Sequence, residues 1–511
     1  MKRRELTKNE QSALNIVGAL IVVLINVCIN FFLSPFIVEH LGVEANGYIT
    51  LANNFVSYFA LITVALDSMA GRFMLIELRK GNLKEANKYY TSVLFGDWII
   101  GGILLIPVLI LIVRLDSFID VPPHMMGDVR LLFALVFLNF YIGLCVPHWR
   151  NATYSTNRLY LRSLKSSITA VLRAAIILMV YYFLPPFAFY VAVAGLMMTI
   201  ANTIFEYIFK INLLPDVRVR VGYFEFKKVK ELIFSGIWNA ISQCGNLLLE
   251  GLDLLIANIF IDATASGVLS VAKIIPNMIN QIVGNIATTF GPRLAELYAD
   301  GDMKHISKEV KSHIKIVSTL ANIPMGVTFA LGVRFFTLWV PSQSAITLTT
   351  LSSLTLLGML FYGVSNCIVN IFTAVNKLKT NSLIVIASGL MNIIVVYILL
   401  CTTDLGIYAI TGVSSFVSII RVFAFTAPYA AHCIGERWHV FYGDLIKGAA
   451  NVLIPIMIGM VLDHLIRANS WMILIGLVGI TCAVTVVIDY FWVLNKNEQI
   501  AILKVLHVKK K

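Results

Sequence analysis

The sequence predicts an all-α polytopic membrane protein. Three observations carry that expectation. Hydrophobic residues make up 58% of the 511 positions and charged residues only 13%. Apolar stretches of about 20 residues, each long enough to cross a bilayer as a helix, recur from end to end. The basic residues gather in alternate connections between those stretches, as they do in membrane proteins with a fixed orientation.

The elements can be taken in chain order. The opening MKRRELTK has the charge of a secretory n-region, but the apolar run Leu14–Val38 is too long for an h-region and no small-residue cleavage site comes after it. It is therefore expected to remain as the first helix. Continuing along the chain gives about 14 spans. They lie near 14–38, 47–69, 91–113, 129–148, 166–184, 187–209, 233–259, 267–289, 315–339, 346–372, 382–401, 405–428, 447–466 and 471–494. Pro107, Pro276, Pro324 and Pro455 fall inside spans and predict kinks, because proline removes a helical donor and its ring crowds the preceding turn.

The formal net charge is +12, so the placement of the cations decides what the charge is for. Arg72, Arg79, Lys80, Lys84 and Lys88 follow the second span, and Arg150, Arg158, Arg162 and Lys165 the fourth. Arg218, Arg220, Lys227, Lys228 and Lys230 follow the sixth, and Arg293 through Lys315 the eighth. About 33 of the 40 Lys and Arg fall on one side, tails included, against Arg114 and Arg467 on the other. This is a topological signal rather than a nucleic-acid surface, and it places both termini in the cytoplasm. His148 beside Trp149 reads as interfacial, Asp489 as reaching toward the headgroups, and the basic tail after Asn495 as a surface helix on anionic membrane lipids.

The outer connections are very short, such as LPPF at 184–187 and the few residues around Asp262 and Asp404. A membrane glycosyltransferase or glycan polymerase would be expected to carry a sizeable external acceptor domain. No Walker A loop, metal-ligand cluster or nucleophile motif occurs, so an enzyme is not expected, nor a cofactor. Cys28, Cys145, Cys244, Cys367, Cys401, Cys433 and Cys482 have no zinc or dithiol spacing and read as small core residues.

A shift of about 220 residues superposes Asn26 on Asn246, Ala45 on Ala265, Gly47 on Gly267, Ala52 on Ala272, Gly71 on Gly291, Gly81 on Gly301 and Lys84 on Lys304. Asn157-Arg158-Leu159 is echoed by Asn376-Lys377-Leu378. Six spans per repeat is an even number, so both halves share one orientation and are related by an axis along the membrane normal. The expected organisation is two pseudo-symmetric six-helix lobes, 1–215 and 216–430, with a final helix pair and basic tail over 431–511.

Polar residues inside the spans mark a candidate path. On the seventh span Asn239, Gln243, Asn246, Glu250 and Asp253 step by three and four, which stacks them on one face of a regular helix. The eighth repeats this with Lys273, Asn277, Gln281 and Thr288, and the first repeat has milder versions in Asn26 with Asn30 and Asn53 with Ser57. At 1.5 Å per residue Glu250 lies roughly 25 Å from the cytoplasmic end and Lys273 about 9 Å from the outer edge. A structural salt bridge among Glu250, Asp253 and Lys273, a proton or sodium site, and a contact from Lys273 to an anionic substrate are all open. Arg173 and Arg421 each sit roughly 10 Å from the cytoplasmic surface, placed either to snorkel or to attract a phosphate-bearing headgroup.

The seventh and eighth spans, LDLLIANIFIDATASGVLSVAKIIPNMINQIV, resemble the signature region of the polysaccharide and lipid-linked oligosaccharide flippases. There an acidic residue precedes Leu-Ile, a short turn leads to a glycine, and an Ala-x-x-x-Pro comes next, here Ala272 and Pro276. The stretch GPRLAELYADGDMKHISKEV is also similar to that group. These flippases belong to the multidrug, oligosaccharidyl-lipid and polysaccharide exporter superfamily, together with the MATE antiporters. The resemblance implies a MATE-like fold and a multi-pass protein of the bacterial cytoplasmic membrane. The implied activity is alternating-access flipping of polyprenyl-pyrophosphate-linked oligosaccharide for O-antigen, lipopolysaccharide or capsule synthesis. A Na+ or H+ gradient is the expected energy source and the glycan polymerase machinery an expected partner. The alternative is a MATE-type antiporter of cationic drugs; a membrane-integral glycan enzyme, or a scaffold for one, is the weakest reading.

Overall fold

The computed structural model describes residues 8–492 apart from 147–148, 150–151, 154–155, 157, 289, 291–293, 295–296, 299–300 and 376. His148, Gly291, the Asn157 and Asn376 echo and the basic tail lie outside the described residues. The chain runs through α1 (Lys8–Leu41), α2 (Val43–Arg79), α3 (Leu83–Val113), α4 (Met126–Cys145), α5 (Leu159–Phe183) and α6 (Phe189–Leu213). Then α7 (Phe226–Asn246) passes through a π turn (Leu247–Gly251) into α8 (Asp253–Phe260). It continues with α9 (Ala263–Ala272), α10 (Ile274–Thr288), α11 (Met303–Trp339), α12 (Ala345–Ala374) and α13 (Leu378–Thr402). After α14 (Ile407–Arg421) a second π turn (Val422–Thr426) leads into α15 (Ala427–Cys433), and α16 (Tyr442–Ala450), α17 (Leu453–Leu465) and α18 (Trp471–Trp492) close the chain.

Thirteen helices among the described residues are long and apolar enough to cross a membrane, and each matches one expected span. The protein is an all-helical, multi-pass membrane protein. The eighth expected span is present but divided at Lys273 into α9 and α10. Pro276 explains the division. Without an N–H it cannot bond the Ala272 carbonyl four residues back, and the Ser352 hydroxyl of α12 donates to that carbonyl instead at 2.6 Å. Pro455 likewise lies just after a break, between α16 and α17, whereas α3 and α11 continue as single helices through Pro107 and Pro324.

The repeat is visible in the backbone. Gly81 and Gly301 both turn through positive φ, 76° and 74°, where a side chain would be strained. Each precedes a helix cap: Asn82 accepts from the Glu85 N–H at 3.3 Å, and Asp302 from the His305 N–H at 3.2 Å. The two other entry turns match as well, with Arg158 N–H donating to the Thr153 carbonyl at 2.8 Å and Lys377 N–H to the Phe372 carbonyl at 2.9 Å.

Packing divides the chain into two compact units, Met1–Val271 with Val385–Leu390, and Ala272–Ile384 with Met391–Lys511. In the first, α2 packs on α7, α1 on α5 and α4 on α6, around Tyr48, Leu51, Phe133 and Phe137. The α2–α7 crossing is close enough that a Cβ on Gly236 would fall 1.9 Å from the Ala65 carbonyl oxygen. Small residues serve this purpose in lipid, where helices gain by close packing rather than by escaping water. In the second unit α11, α12, α14 and α17 enclose Ile314, Leu356, Ile368, Phe372 and Phe441. The cysteines depart from expectation: Cys367 is buried, but Cys28, Cys145 and Cys401 are exposed, consistent with a small apolar residue on a lipid-facing surface.

Candidate functional site

The first unit contains a cavity of about 290 Å³ formed by α1, α2, α4, α5 and α6. Four asparagines line it, Asn26, Asn53, Asn139 and Asn202, one from each helix except α5. From α5 come Ser166, Thr169 and Arg173, which step by three and four and so share one helix face, and Thr199 joins them from α6. Leu132, Val136 and Val191 supply the apolar part of the wall.

Charge at this site is uneven. Next to Ser166 at the edge of the cavity, Lys165 is 6% exposed and its ammonium lies 2.6 Å from Glu206 on α6, so its charge is met. Thr169 continues the α5–α6 seam by donating to the Asn202 side-chain oxygen at 3.2 Å. Arg173, by contrast, makes no hydrogen bond or ion pair among the described residues, and its side chain is accessible. The cavity therefore presents one uncompensated guanidinium among neutral amides and hydroxyls. Such a lining offers charge-assisted donors to an anion and both donors and acceptors to sugar hydroxyls.

The structure thus brings Asn26 and Arg173 together, while Asn30, one turn further along α1, is exposed and does not line the cavity. The face expected along the seventh span is interrupted. The π turn at Leu247–Gly251 holds an extra residue, which rotates α8 relative to α7 about the helix axis. Asp253 is consequently turned inward to 1% exposure, whereas Gln243 and Asn246 are exposed and Glu250 is half-buried. The carbonyl of Gly251 in this turn accepts from the Tyr58 hydroxyl of α2 at 2.6 Å. Lys273 stands at the α9–α10 break with 7% exposure, and Asn277 and Gln281 are exposed on α10. Arg421 is the last residue of α14, directly before the second π turn.

Asn139, Thr199 and Glu206 were not anticipated from the sequence as members of a site. Thr199, Asn202 and Glu206 step by three and four along the sixth span, the same signal that singled out the seventh. Asn139 is alone on its span and gives no such pattern.

Two repeats of six spans with a terminal pair, and a polar cavity inside one bundle, form an arrangement also found among membrane transporters. Comparison with solved structures agrees. The fold is similar to that of the lipid II flippase MurJ in an inward closed conformation, with a TM-score of 0.64 and 15% identity over 94% of this chain and 98% of that one. It is equally similar to an inward-facing multidrug resistance MATE transporter of the MOP superfamily, with a TM-score of 0.65 and 12% identity over 82% and 98%. In sequence the chain is 27% identical to the uncharacterized membrane protein EpsK of Bacillus subtilis (strain 168), over 96% of this chain and 97% of that one. No family model matches. The chain has the MOP-superfamily fold, that of the MATE transporters and lipid II flippases.

Proposed function

We propose that the protein flips a polyprenyl-pyrophosphate-linked oligosaccharide from the cytoplasmic to the outer leaflet of the bacterial cytoplasmic membrane, for synthesis of a surface polysaccharide. The observation that carries this is Arg173, a cation without a counter-charge among the described residues, in a cavity lined by four asparagines. The cavity is near the small end of ligand sites, which run roughly 300–1,000 Å³, and suits a phosphate with its first sugar rather than a whole oligosaccharide. The lipid tail stays in the bilayer as the lobes alternate access. Both termini are cytoplasmic in this reading, and a glycan polymerase receives the product. Lys273, the Glu250 and Asp253 carboxylates, and Arg421 are assigned further roles in transport. A cationic drug is disfavoured, because the cavity's uncompensated charge is positive.

The test is binding by the full-length protein in nanodiscs. A polyprenyl-pyrophosphate oligosaccharide should bind, and Arg173→Ala should weaken it at least tenfold, a loss of about 1.4 kcal/mol or more. Binding of a cationic dye that Arg173→Ala strengthens, with no binding of the glycolipid, would overturn the proposal in favour of an antiporter.

A further inference from the structure

The terminal hairpin holds a carboxyl group that the substrate cavity does not use. Asp489 lies in the last turn of α18 and is 1% exposed, not reaching outward to headgroups as its place near the span end suggests. One carboxyl oxygen accepts from the Asn451 amide at 2.8 Å. The other is fully buried and has no partner among the described residues. Asn451 is itself the residue at which α16 stops and α17 has not begun, four positions before Pro455. On the other side of the break, Asn322 of α11 donates to the Gly448 carbonyl at 2.6 Å. The carboxyl group and the helix break are thus joined through one amide.

Among the described residues the acid forms no ion pair. Of the helices packed on α18, α17 carries Asp463 and His464 only near its far end, and Asp463 is paired with Arg334 of α11 at 3.2 Å. On α11, His313 and Lys315 lie nine and seven positions before Asn322, and His313 faces Glu309 at 3.4 Å. Lys447 of α16, four positions before Asn451, is exposed. A buried carboxylate facing a neutral amide on one side and nothing on the other is far less favourable than the neutral acid.

We propose that Asp489 is a proton-binding site coupled to the α16–α17 break. In the closed hairpin the group is the neutral acid, its unpartnered oxygen carrying the proton. Release of that proton leaves a carboxylate that must recover water or a cation, and the route open to it is loosening of the Asn451 contact and of the break. Proton uptake restores the acid and closes the hairpin. The inference does not depend on what the protein carries.

Infrared spectra of the full-length protein in nanodiscs, recorded as pH is stepped from neutral to alkaline, test the proposal. A protonated-carboxyl C=O band should disappear on raising the pH in the native protein, be absent throughout from Asp489→Asn, and move in frequency in Asp489→Glu. Hydrogen exchange over residues 445–456 should quicken with pH, beyond its intrinsic dependence, in the native protein and stay flat in Asp489→Asn, which mimics the neutral acid. Identical carboxyl bands in native protein and Asp489→Asn, or identical exchange across the break, would refute it.

Discussion

Gly47 of α2 and Gly267 of α9 meet backbone to backbone: a Cβ on Gly47 would lie 2.9 Å from the Gly267 Cα, and one on Gly267 would lie 2.4 Å from the Val43 carbonyl oxygen. The two occupy the same position in the repeat, so the chain crosses its own copy at equivalent residues. Beside them the Asn46 amide donates to the Ser270 hydroxyl at 2.8 Å, and the Thr264 hydroxyl to the Glu44 carboxylate at 2.9 Å. Small residues let the two backbones approach this closely, and a few polar contacts add to the crossing. On the proposed topology it lies at the outer end, and its role as an outer closure is the prediction tested next.

Gly267→Val should therefore open this crossing without unfolding the bundle. Overpacking of this kind costs typically about 1–3 kcal/mol, read as a lower melting temperature. A cysteine placed at Ser270 should react faster with a membrane-impermeant thiol reagent in the Gly267→Val background. Unchanged reactivity would show that the α2–α9 crossing does not control access.

The Tyr58 hydroxyl of α2 reaches across to α7 and holds the carbonyl of Gly251 in the π turn. Tyr58→Phe removes that donor and leaves a carbonyl at membrane depth. A loss of about 1 kcal/mol is expected, along with faster hydrogen exchange over 247–253. If exchange there is unchanged while stability falls, the tyrosine contributes packing alone.

Much of this architecture is legible in the sequence because lipid allows few solutions. Thirteen spans follow from run length, and Gly81 and Gly301 announce matching turns because only glycine adopts that φ without strain. The π turn is not legible: a regular three-and-four spacing through Asn246, Glu250 and Asp253 fits an uninterrupted α-helix, and one extra residue in the hydrogen-bond ladder leaves no mark in composition. The burial of Asp489 is hidden for a different reason. Its nearness to the span end suggests a headgroup position, and only the return of Asn451 across the hairpin shows otherwise. Arg173 stands out in the sequence, but its asparagine neighbours come from four other helices and share no sequence periodicity.

Arg173→Lys separates charge from shape. If a phosphate is gripped by the planar fork, Lys should recover only part of the affinity lost in Arg173→Ala, since it offers a point charge without the bidentate geometry. Full recovery in the same glycolipid titration would mean that the cavity needs positive charge alone.

Lys165 and Glu206 supply the sharpest contrast with Arg173, because they are a cation and an anion about two turns away that cancel each other. Glu206→Gln leaves the ammonium of Lys165 buried beside a neutral amide. Breaking a buried pair from one side costs typically about 3–5 kcal/mol, and since Glu206 keeps partial access the low end, about 3 kcal/mol, is expected. Lys165→Met with Glu206→Gln removes the pair from both sides and should recover most of that loss, measured by thermal melting in detergent. The single variant also places a second uncompensated cation next to the cavity. It should bind the anionic glycolipid more tightly while being less stable, a divergence that a purely structural ion pair would not produce. The double variant should return the affinity to that of the native protein, because Arg173 alone then carries the charge.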